Sequence, residues 1–143
     1  MATVSGGCHC GNFSVALQLT RAPDSYSPRA CDCDFCRKHG AAYVSDPHGT
    51  LHISITDPAQ AGRYRQGSAQ AEMLVCRQCG VVLGALFTDG ARRYATVNAR
   101  VLDPAVQLGA ETVVSPRTLS ASEKAARWPN IWFANVSISS PDA

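Results

Sequence analysis

The sequence lacks any long hydrophobic run. Its longest apolar stretch, residues 81–87, is far shorter than the roughly 20 residues that a membrane-spanning helix needs. The first residues, Met1 to Ser5, show neither the basic segment nor the apolar segment of an export signal. We therefore expect a soluble, cytoplasmic protein that makes no contact with a membrane.

Charged residues are also few, and neither sign dominates. They make up 17% of the 143 residues and leave a formal net charge of +2, without a block of like charges. Surfaces that bind nucleic acid usually concentrate lysine and arginine, so we expect no nucleic-acid partner. The length suits one domain with a modest hydrophobic core, and no repeat or linker divides it. We predict a single domain over residues 1–143.

Cysteine, in contrast, is plentiful and grouped. A disulfide framework is typical of small secreted chains, but the odd number of cysteines, the missing export signal and the very small ring that each C-x-C pair would close all oppose it. The grouping favours metal binding. The seven cysteines form a C-x-C with Cys8 and Cys10, a C-x-C-x-x-C with Cys31, Cys33 and Cys36, and a C-x-x-C with Cys76 and Cys79.

Seven thiols are three more than one tetrahedral zinc site uses. Structural zinc takes four protein ligands, whereas catalytic zinc takes three and keeps one position open. Cys76 and Cys79, followed by Gly80, have the spacing of half a zinc ribbon, and Cys8 and Cys10 form a complementary pair. The alternative is that Cys76 and Cys79 are buried core thiols. We predict two zinc ions per chain, one in a closed site and one in an open site.

The three cysteines of the middle motif are close enough in sequence to occupy three corners of one tetrahedron. These residues, Cys31, Cys33 and Cys36, would leave the fourth corner open unless His39 closes it; otherwise His39 is a surface residue or a hydrogen-bond donor near the site. Three thiolates on Zn²⁺ leave a net charge near −1, which makes a poor Lewis acid but a suitable place to bind another thiol. We therefore assign a reactive role to these three cysteines.

Charged side chains surround the middle motif. Asp32 and Asp34 are expected to be solvated neighbours of the metal and not ligands, because thiolates outcompete carboxylates for zinc. Arg37 and Lys38 follow directly. We predict that these two cations bind a carboxylated substrate.

Hydrophobic alternation predicts a mainly β chain. The run 81–87 is apolar enough for a strand that is buried on both faces. A short helix is predicted over residues 119–127, starting at Ser120 or Ser122 and ended by Pro129. Residues 131–136 fit either a closing strand or an aromatic plug. Strands are predicted at residues 13–19, 41–45, 51–55, 61–67, 71–75, 81–87, 93–98 and 111–114.

The three cysteine motifs together resemble those of the glutathione-dependent formaldehyde-activating enzymes and their centromere-protein-V-like relatives. The resemblance lies in residues 7–11, 31–37 and 76–80. It implies that the first and third motifs hold a structural zinc, that the middle motif holds the zinc that serves catalysis, and that the fold is Mss4-like, with small sheets folded around the zinc sites.

Two departures from the family pattern stand out. Asp32 occupies the position where the middle motif commonly has histidine, which adds negative charge beside an anionic site and should disfavour an anionic substrate. Leu102 and Asp103 fit the family's usual Leu-Asp element, but the segment from Gly109 onward matches no part of the pattern.

The resemblance implies a zinc-dependent carbon–sulfur lyase. Its substrate would be a small-molecule thiol or a thiol–aldehyde adduct such as S-hydroxymethylglutathione. The alternative is a non-catalytic, zinc-stabilised β module that binds a protein partner, because a zinc-tied β fold can equally display a binding surface.

Overall fold

The computed structural model describes residues 1–141, which form two β-sheets and two α-helices. The helices are α1 (Asp34–His39) and α2 (Ala121–Ile131). The strands are β1 (Ala2–Gly7), β2 (Phe13–Leu19), β3 (Arg29–Cys31), β4 (Ala42–Val44), β5 (Thr50–Ile55), β6 (Ala61–Arg65), β7 (Glu72–Cys76), β8 (Val82–Asp89), β9 (Arg92–Asn98), β10 (Thr112–Val114) and β11 (Asn135–Ser139).

The two sheets differ in size and in strand direction. The smaller sheet has the order β1-β2-β5-β11, in which only β11 runs parallel to its neighbour. The larger sheet has the order β10-β3-β4-β9-β8-β7-β6 and is antiparallel except for the β10–β3 pair. The parallel pairs bring residues 112–114 and 135–139 beside strands that lie far away in sequence.

The main hydrophobic core includes inward-facing residues of both sheets. In β2, buried and exposed residues alternate over the whole strand, and Phe13, Leu17 and Leu19 are fully buried. Leu83 and Leu86 of β8 belong to the same core, whereas Val82 and Ala85 pack into a second apolar cluster with the two tryptophans at the end of α2 and just after it. The strand β8 is therefore buried on both faces, as the sequence predicts.

Both helices begin at side-chain caps. The Cys33 thiol accepts a hydrogen bond from the Cys36 amide at the start of α1, which ends at Gly40 in the left-handed conformation (φ 62°). At the start of α2, the Ser120 and Glu123 side chains each accept a hydrogen bond from the other residue's backbone N–H.

The predicted mainly β fold with a short helix near the C-terminus is confirmed. Strand β1 was not predicted, because Gly6 and Gly7 indicated a turn. Pro129 does not end α2: it lies in the last turn, and the helix continues to Ile131. Of the segment 131–136, Phe133 is fully buried and forms a bridge to Ala95, and a strand begins only at residue 135. Within the described residues, no helix combines the length and the apolar character needed to cross a membrane.

Candidate metal centres and the adjoining cavity

Four cysteines from two distant turns meet in one cluster. Cys8 and Cys10 lie in the turn between β1 and β2, and Cys76 and Cys79 lie at the turn between β7 and β8. Their sulfur atoms all lie within 4.8 Å of one another. Because β1 and β7 belong to different sheets, this cluster joins the two sheets.

The two turns of the four-cysteine cluster are built alike. A glycine with positive φ follows the second cysteine of each pair, Gly11 (φ 85°) and Gly80 (φ 80°), and its N–H donates to the carbonyl of the first cysteine. Left-handed backbone of this kind favours glycine. The tight turn directs backbone N–H groups at sulfur: the Phe13 amide donates to Cys8 Sγ at 3.2 Å.

The sulfur spacing of the four-cysteine cluster suits a tetrahedral zinc ion. Four thiolates about 2.3 Å from zinc are separated from one another by about 3.8 Å. The observed Sγ–Sγ distances are 3.8 Å for Cys8–Cys10 and 3.5 Å for Cys10–Cys76. All seven cysteines are free, which argues against the disulfide alternative. The cluster therefore fits a metal ion of this size and preference.

Cys79 carries the electrostatic signature of a metal-binding thiol. Burial raises its pKa, but the backbone N–H groups of Val81 and Cys10 and the thiols of Cys76 and Cys10 lower it to about 6. Hydrogen bonds to the charged form favour the thiolate, and the thiolate is the form that binds metal. This thiol is thus prepared as an anionic ligand.

The other three cysteines form a second cluster at the opposite side of the larger sheet. Cys31 ends β3, Cys33 caps α1 and Cys36 lies in the first turn of α1; their sulfur atoms lie within 4.8 Å of one another. Among residues 1–141, no histidine or carboxylate joins this group. His39 is exposed and packs against the Phe35 ring instead, with centroids 4.6 Å apart.

The thiols of the three-cysteine cluster differ in acidity. The hydrogen bond with Cys36 lowers the pKa of Cys31 to about 6, against the effect of burial. The same interaction with Cys31, together with burial, raises the pKa of Cys36. Tyr43 Oη lies 3.1 Å from Cys36 Sγ, and burial and the charge of Cys36 raise the tyrosine pKa. Tyr43 therefore stays protonated, and its hydroxyl is a donor within hydrogen-bond distance of Cys36 Sγ.

Asp32 is tied to the C-terminal third of the chain. Its carboxylate accepts hydrogen bonds from Ser115 Oγ at 2.6 Å and from Arg117 Nε at 3.2 Å. The Ser115 hydrogen bond and the Arg117 charge hold the pKa of Asp32 below its ordinary value, although burial opposes the shift. The negative charge predicted to disfavour an anionic substrate is thus countered by Arg117.

A cavity of about 510 Å³ opens beside the three-cysteine cluster, and all three cysteines line it. Trp128 of α2 and Trp132, which directly follows that helix, form an apolar wall, their rings stacked with centroids 4.8 Å apart. Among residues 1–141, no acidic side chain lines this cavity. Its cationic lining residues are Arg29, Arg117, Lys124 and Arg127.

Arg37 and Lys38 are not brought to the cavity. Both are exposed on α1 and neither lines the cavity wall, so their role in substrate binding stays a prediction. Sequence patterns missed Arg29, Tyr43 and the two tryptophans as site residues. Arg29 and Tyr43 belong to no recognisable motif, and the two tryptophans lie far from the cysteines in sequence. Only the pairing of β3 with β4 and the packing of α2 bring these residues together.

The family model described as "glutathione-dependent formaldehyde-activating enzyme" matches residues 3–117, a segment that contains both cysteine clusters. The chain belongs to this family. The resemblance of the three cysteine motifs to the formaldehyde-activating enzymes is thereby confirmed. The family match ends before α2, so the tryptophan wall of the cavity lies outside the part that matches the formaldehyde-activating enzymes.

One solved structure similar to this member of the formaldehyde-activating enzyme family is the crystal structure of a Rhodobacter sphaeroides protein, a structural-genomics target. It shares 23% sequence identity and a TM-score of 0.55, over 76% of this chain and 99% of that chain. At this identity the likeness shows the fold alone. No curated protein matches the chain.

Proposed function

We propose that this chain is a single zinc-binding domain over residues 1–143 that acts as a carbon–sulfur lyase on a thiol–aldehyde adduct. The observation that carries the proposal is the position of the three-cysteine cluster: it offers three sulfur ligands at the wall of a cavity. Catalytic zinc sites have three protein ligands and one open position. The four-cysteine cluster would hold the second, structural zinc.

The residues that would hold the reactive zinc are Cys31, Cys33 and Cys36. When bound there, zinc supplies strong stabilisation of a thiolate, so that a thiol near it loses its proton near neutral pH. In the lyase direction, the carbon–sulfur bond of the S-hydroxymethyl adduct breaks and its electron pair goes to sulfur. The proton of the adduct's hydroxyl passes to the sulfur, and the products are the free thiol and the aldehyde.

The protein's own groups position the ligands and exclude water. Tyr43 donates to Cys36 and so fixes the direction of that thiolate, while the backbone N–H of Cys36 donates to Cys33 Sγ at 3.4 Å. Groups that hydrogen-bond metal ligands orient them and tune the metal. The stacked rings of Trp128 and Trp132 keep one side of the cavity apolar, which limits competing hydration of a reactive aldehyde.

The alternative is a zinc-stabilised module that binds a protein partner. A display module needs its binding residues on a protruding surface, whereas Cys36 is only 3% exposed and all three thiols line a cavity. This placement favours a small-molecule substrate.

The test is exchange NMR of a thiol mixed with formaldehyde, in which the free thiol and its S-hydroxymethyl adduct give separate signals. Zinc-loaded protein should accelerate the exchange in proportion to its concentration, for at least one thiol from a panel that includes glutathione, 3-mercaptopropionate and mercaptoethanol. Cys33→Ser should abolish the acceleration, and Asp89→Asn, at an exposed position of β8 outside the cavity lining, should retain it. Absence of acceleration with every thiol, or equal acceleration by Cys33→Ser, would reject the lyase and favour the display module.

A further inference from the structure

Arg29 carries a positive charge inside the cavity. It lies on β3, two residues before Cys31, and is only partly exposed. Its Nη2 donates to Ser45 Oγ at 2.7 Å and to Thr96 Oγ1 at 3.3 Å. These two bonds fix one corner of the guanidinium against the larger sheet.

The two hydroxyls that hold Arg29 are themselves committed. Ser45 donates its proton to the Ile131 carbonyl at 2.6 Å, and Thr96 donates to the Val44 carbonyl at 3.2 Å. Each hydroxyl has one proton, so both oxygens act towards Arg29 only as acceptors. They are uncharged and leave the positive charge of the guanidinium without compensation.

No counter-ion for Arg29 exists among the described residues. Within residues 1–141, Arg29 forms no ion pair, and its Nε and Nη1 groups make no hydrogen bond. The pKa of Arg29 lies below its ordinary value because burial and the neighbouring charge of Arg127 disfavour the cation. An arginine nevertheless stays protonated, and a partly desolvated, unpaired charge is costly. An anionic ligand in the cavity would remove this cost.

The rest of the cavity limits what the anion can be attached to. Part of its wall is aromatic, from Trp128 and Trp132, and Met73 adds a further apolar group. No carboxylate among the described lining residues is available to an ammonium group. A ligand with an ammonium would therefore meet four lining cations and no counter-ion among the described lining residues.

We propose that Arg29 binds the substrate's carboxylate and that the cavity selects a thiol with one carboxylate on an apolar body over a thiol that carries an ammonium group. The planar guanidinium has free N–H groups suited to a carboxylate, and Arg127 is the second cation nearby. The thiol part of this inference rests on the proposed function; the carboxylate part does not. Glutathione, which carries an ammonium group, is accordingly a poorer substrate than a simple mercapto acid.

The chain contains its own optical probe for this site. Trp128 and Trp132 are its only two tryptophans, and both line the cavity. Titration of zinc-loaded protein with 3-phenylpropanoate, which has no thiol, should change tryptophan fluorescence with saturation. The uncharged 3-phenylpropan-1-ol, of nearly the same shape, should bind at least tenfold more weakly.

Binding measurements on arginine variants test whether Arg29 is the residue that binds the ligand's carboxylate. Arg29→Met should weaken binding of 3-phenylpropanoate by about tenfold or more, the loss expected for charge-assisted hydrogen bonds, and should leave binding of the alcohol unchanged. Arg29→Lys should retain part of the affinity, since it keeps the charge but not the planar fork. Arg93→Met is the matched control, an exposed arginine of β9, and should bind like wild type.

Three results would overturn the assignment. The first is equal affinity of wild type and Arg29→Met for 3-phenylpropanoate. The second is a selective loss of affinity for 3-phenylpropanoate in Arg37→Met, which would assign carboxylate binding to the exposed helix α1. If Arg29→Met lowered affinity for acid and alcohol alike, together with the unfolding midpoint, Arg29 would be a structural residue only.

A comparison of thiols tests the carboxylate site separately from the lyase activity. In the NMR exchange experiment, wild type should prefer 3-mercaptopropionate over cysteamine and over glutathione, and Arg29→Met should lose the preference. Arg29-dependent binding of 3-phenylpropanoate without any thiol exchange would retain the carboxylate site and reject the lyase. Exchange that favours cysteamine or glutathione would retain the lyase and reject the proposed selectivity.

Discussion

Arg117 donates from Nε to Oδ1 of Asp32 at 3.2 Å and so connects the C-terminal third of the chain to the middle cysteine motif. Strand β10, just before Arg117, pairs in parallel with β3, which places residues 115–118 at the mouth of the cavity. The aspartate that departs from the family's usual histidine therefore contacts residues 115 and 117, which lie inside the part that matches the family model. The expectation that nothing from Gly109 onward fits the family is thus wrong for residues 109–117.

The Asp32–Arg117 pair should show a small, salt-sensitive coupling. Because the Arg117 side chain is 62% exposed, solvent weakens the attraction, and added salt should weaken it further. A double-mutant cycle with Asp32→Ala and Arg117→Ala, measured by denaturant unfolding at fixed zinc, gives the coupling energy. Arg92→Ala, at an exposed position of β9, should be additive with Asp32→Ala. Additivity of Asp32→Ala with Arg117→Ala at low salt would contradict the contact.

Elemental analysis should find two zinc ions per chain. The four-cysteine cluster supplies all four ligands of a closed shell, although Cys10 is exposed and Cys79 is partly exposed. The three-cysteine cluster lines an accessible cavity. A mild chelator should therefore remove one zinc quickly and the other slowly. A content of one zinc, or loss of both at a single rate, would contradict the division into one closed and one open site.

Cys79→Ser should destabilise the fold far more than Cys33→Ser. The four-cysteine cluster ties the β1–β2 turn of one sheet to the β7–β8 turn of the other, and structural zinc contributes folding free energy. We expect Cys79→Ser to lower the unfolding midpoint by ~10 °C or more and to broaden the transition. Thermal melts at matched zinc are the measurement. Equal shifts for the two serine variants would show that both clusters support the fold equally.

The ionised carboxylate of Asp46 should stabilise the folded protein at neutral pH and lose this effect in acid. Its buried carboxylate accepts hydrogen bonds from the Thr20 amide and hydroxyl, from Tyr26 Oη and from the His48 amide. Burial raises its pKa, but these bonds outweigh burial and depress it well below the ordinary value. A depressed pKa means that the stabilisation is complete above the unfolded pKa of about 3.9 and is lost as the pH falls towards the folded value.

Replacement of Asp46 by asparagine tests this sign. The free energy of unfolding should fall by about 2 kcal/mol at neutral pH, as expected for hydrogen bonds to a charged group. The difference from wild type should stay constant down to about pH 4 and shrink below it. Asp24→Asn, at an exposed position, is the control. A difference that grows in acid would contradict the assignment.

Local patterns in the sequence determined the ligands and most of the strands. Closely spaced cysteines next to glycine define their own turns, so that the partition into a four-cysteine and a three-cysteine cluster follows from spacing and from the family resemblance. Alternation of apolar and polar residues predicted the positions of β2 and β5, because the two-residue period of a strand depends only on neighbouring residues. The end of α2 was misplaced, because a proline in the last turn displaces few hydrogen bonds.

The surroundings of the reactive cluster were decided by tertiary structure alone. Arg37 and Lys38 are next to Cys36 in sequence, yet the short helix α1 leaves both exposed and away from the cavity. Arg29 faces the cavity because β3 pairs with β4 and presents it to hydroxyls on β9 and beyond β4. The tryptophan wall comes from the end of α2 and the residue that follows it, about a hundred residues away from the cysteines. Contacts across such separations depend on how sheets and helices pack, and no period or spacing in the chain records them.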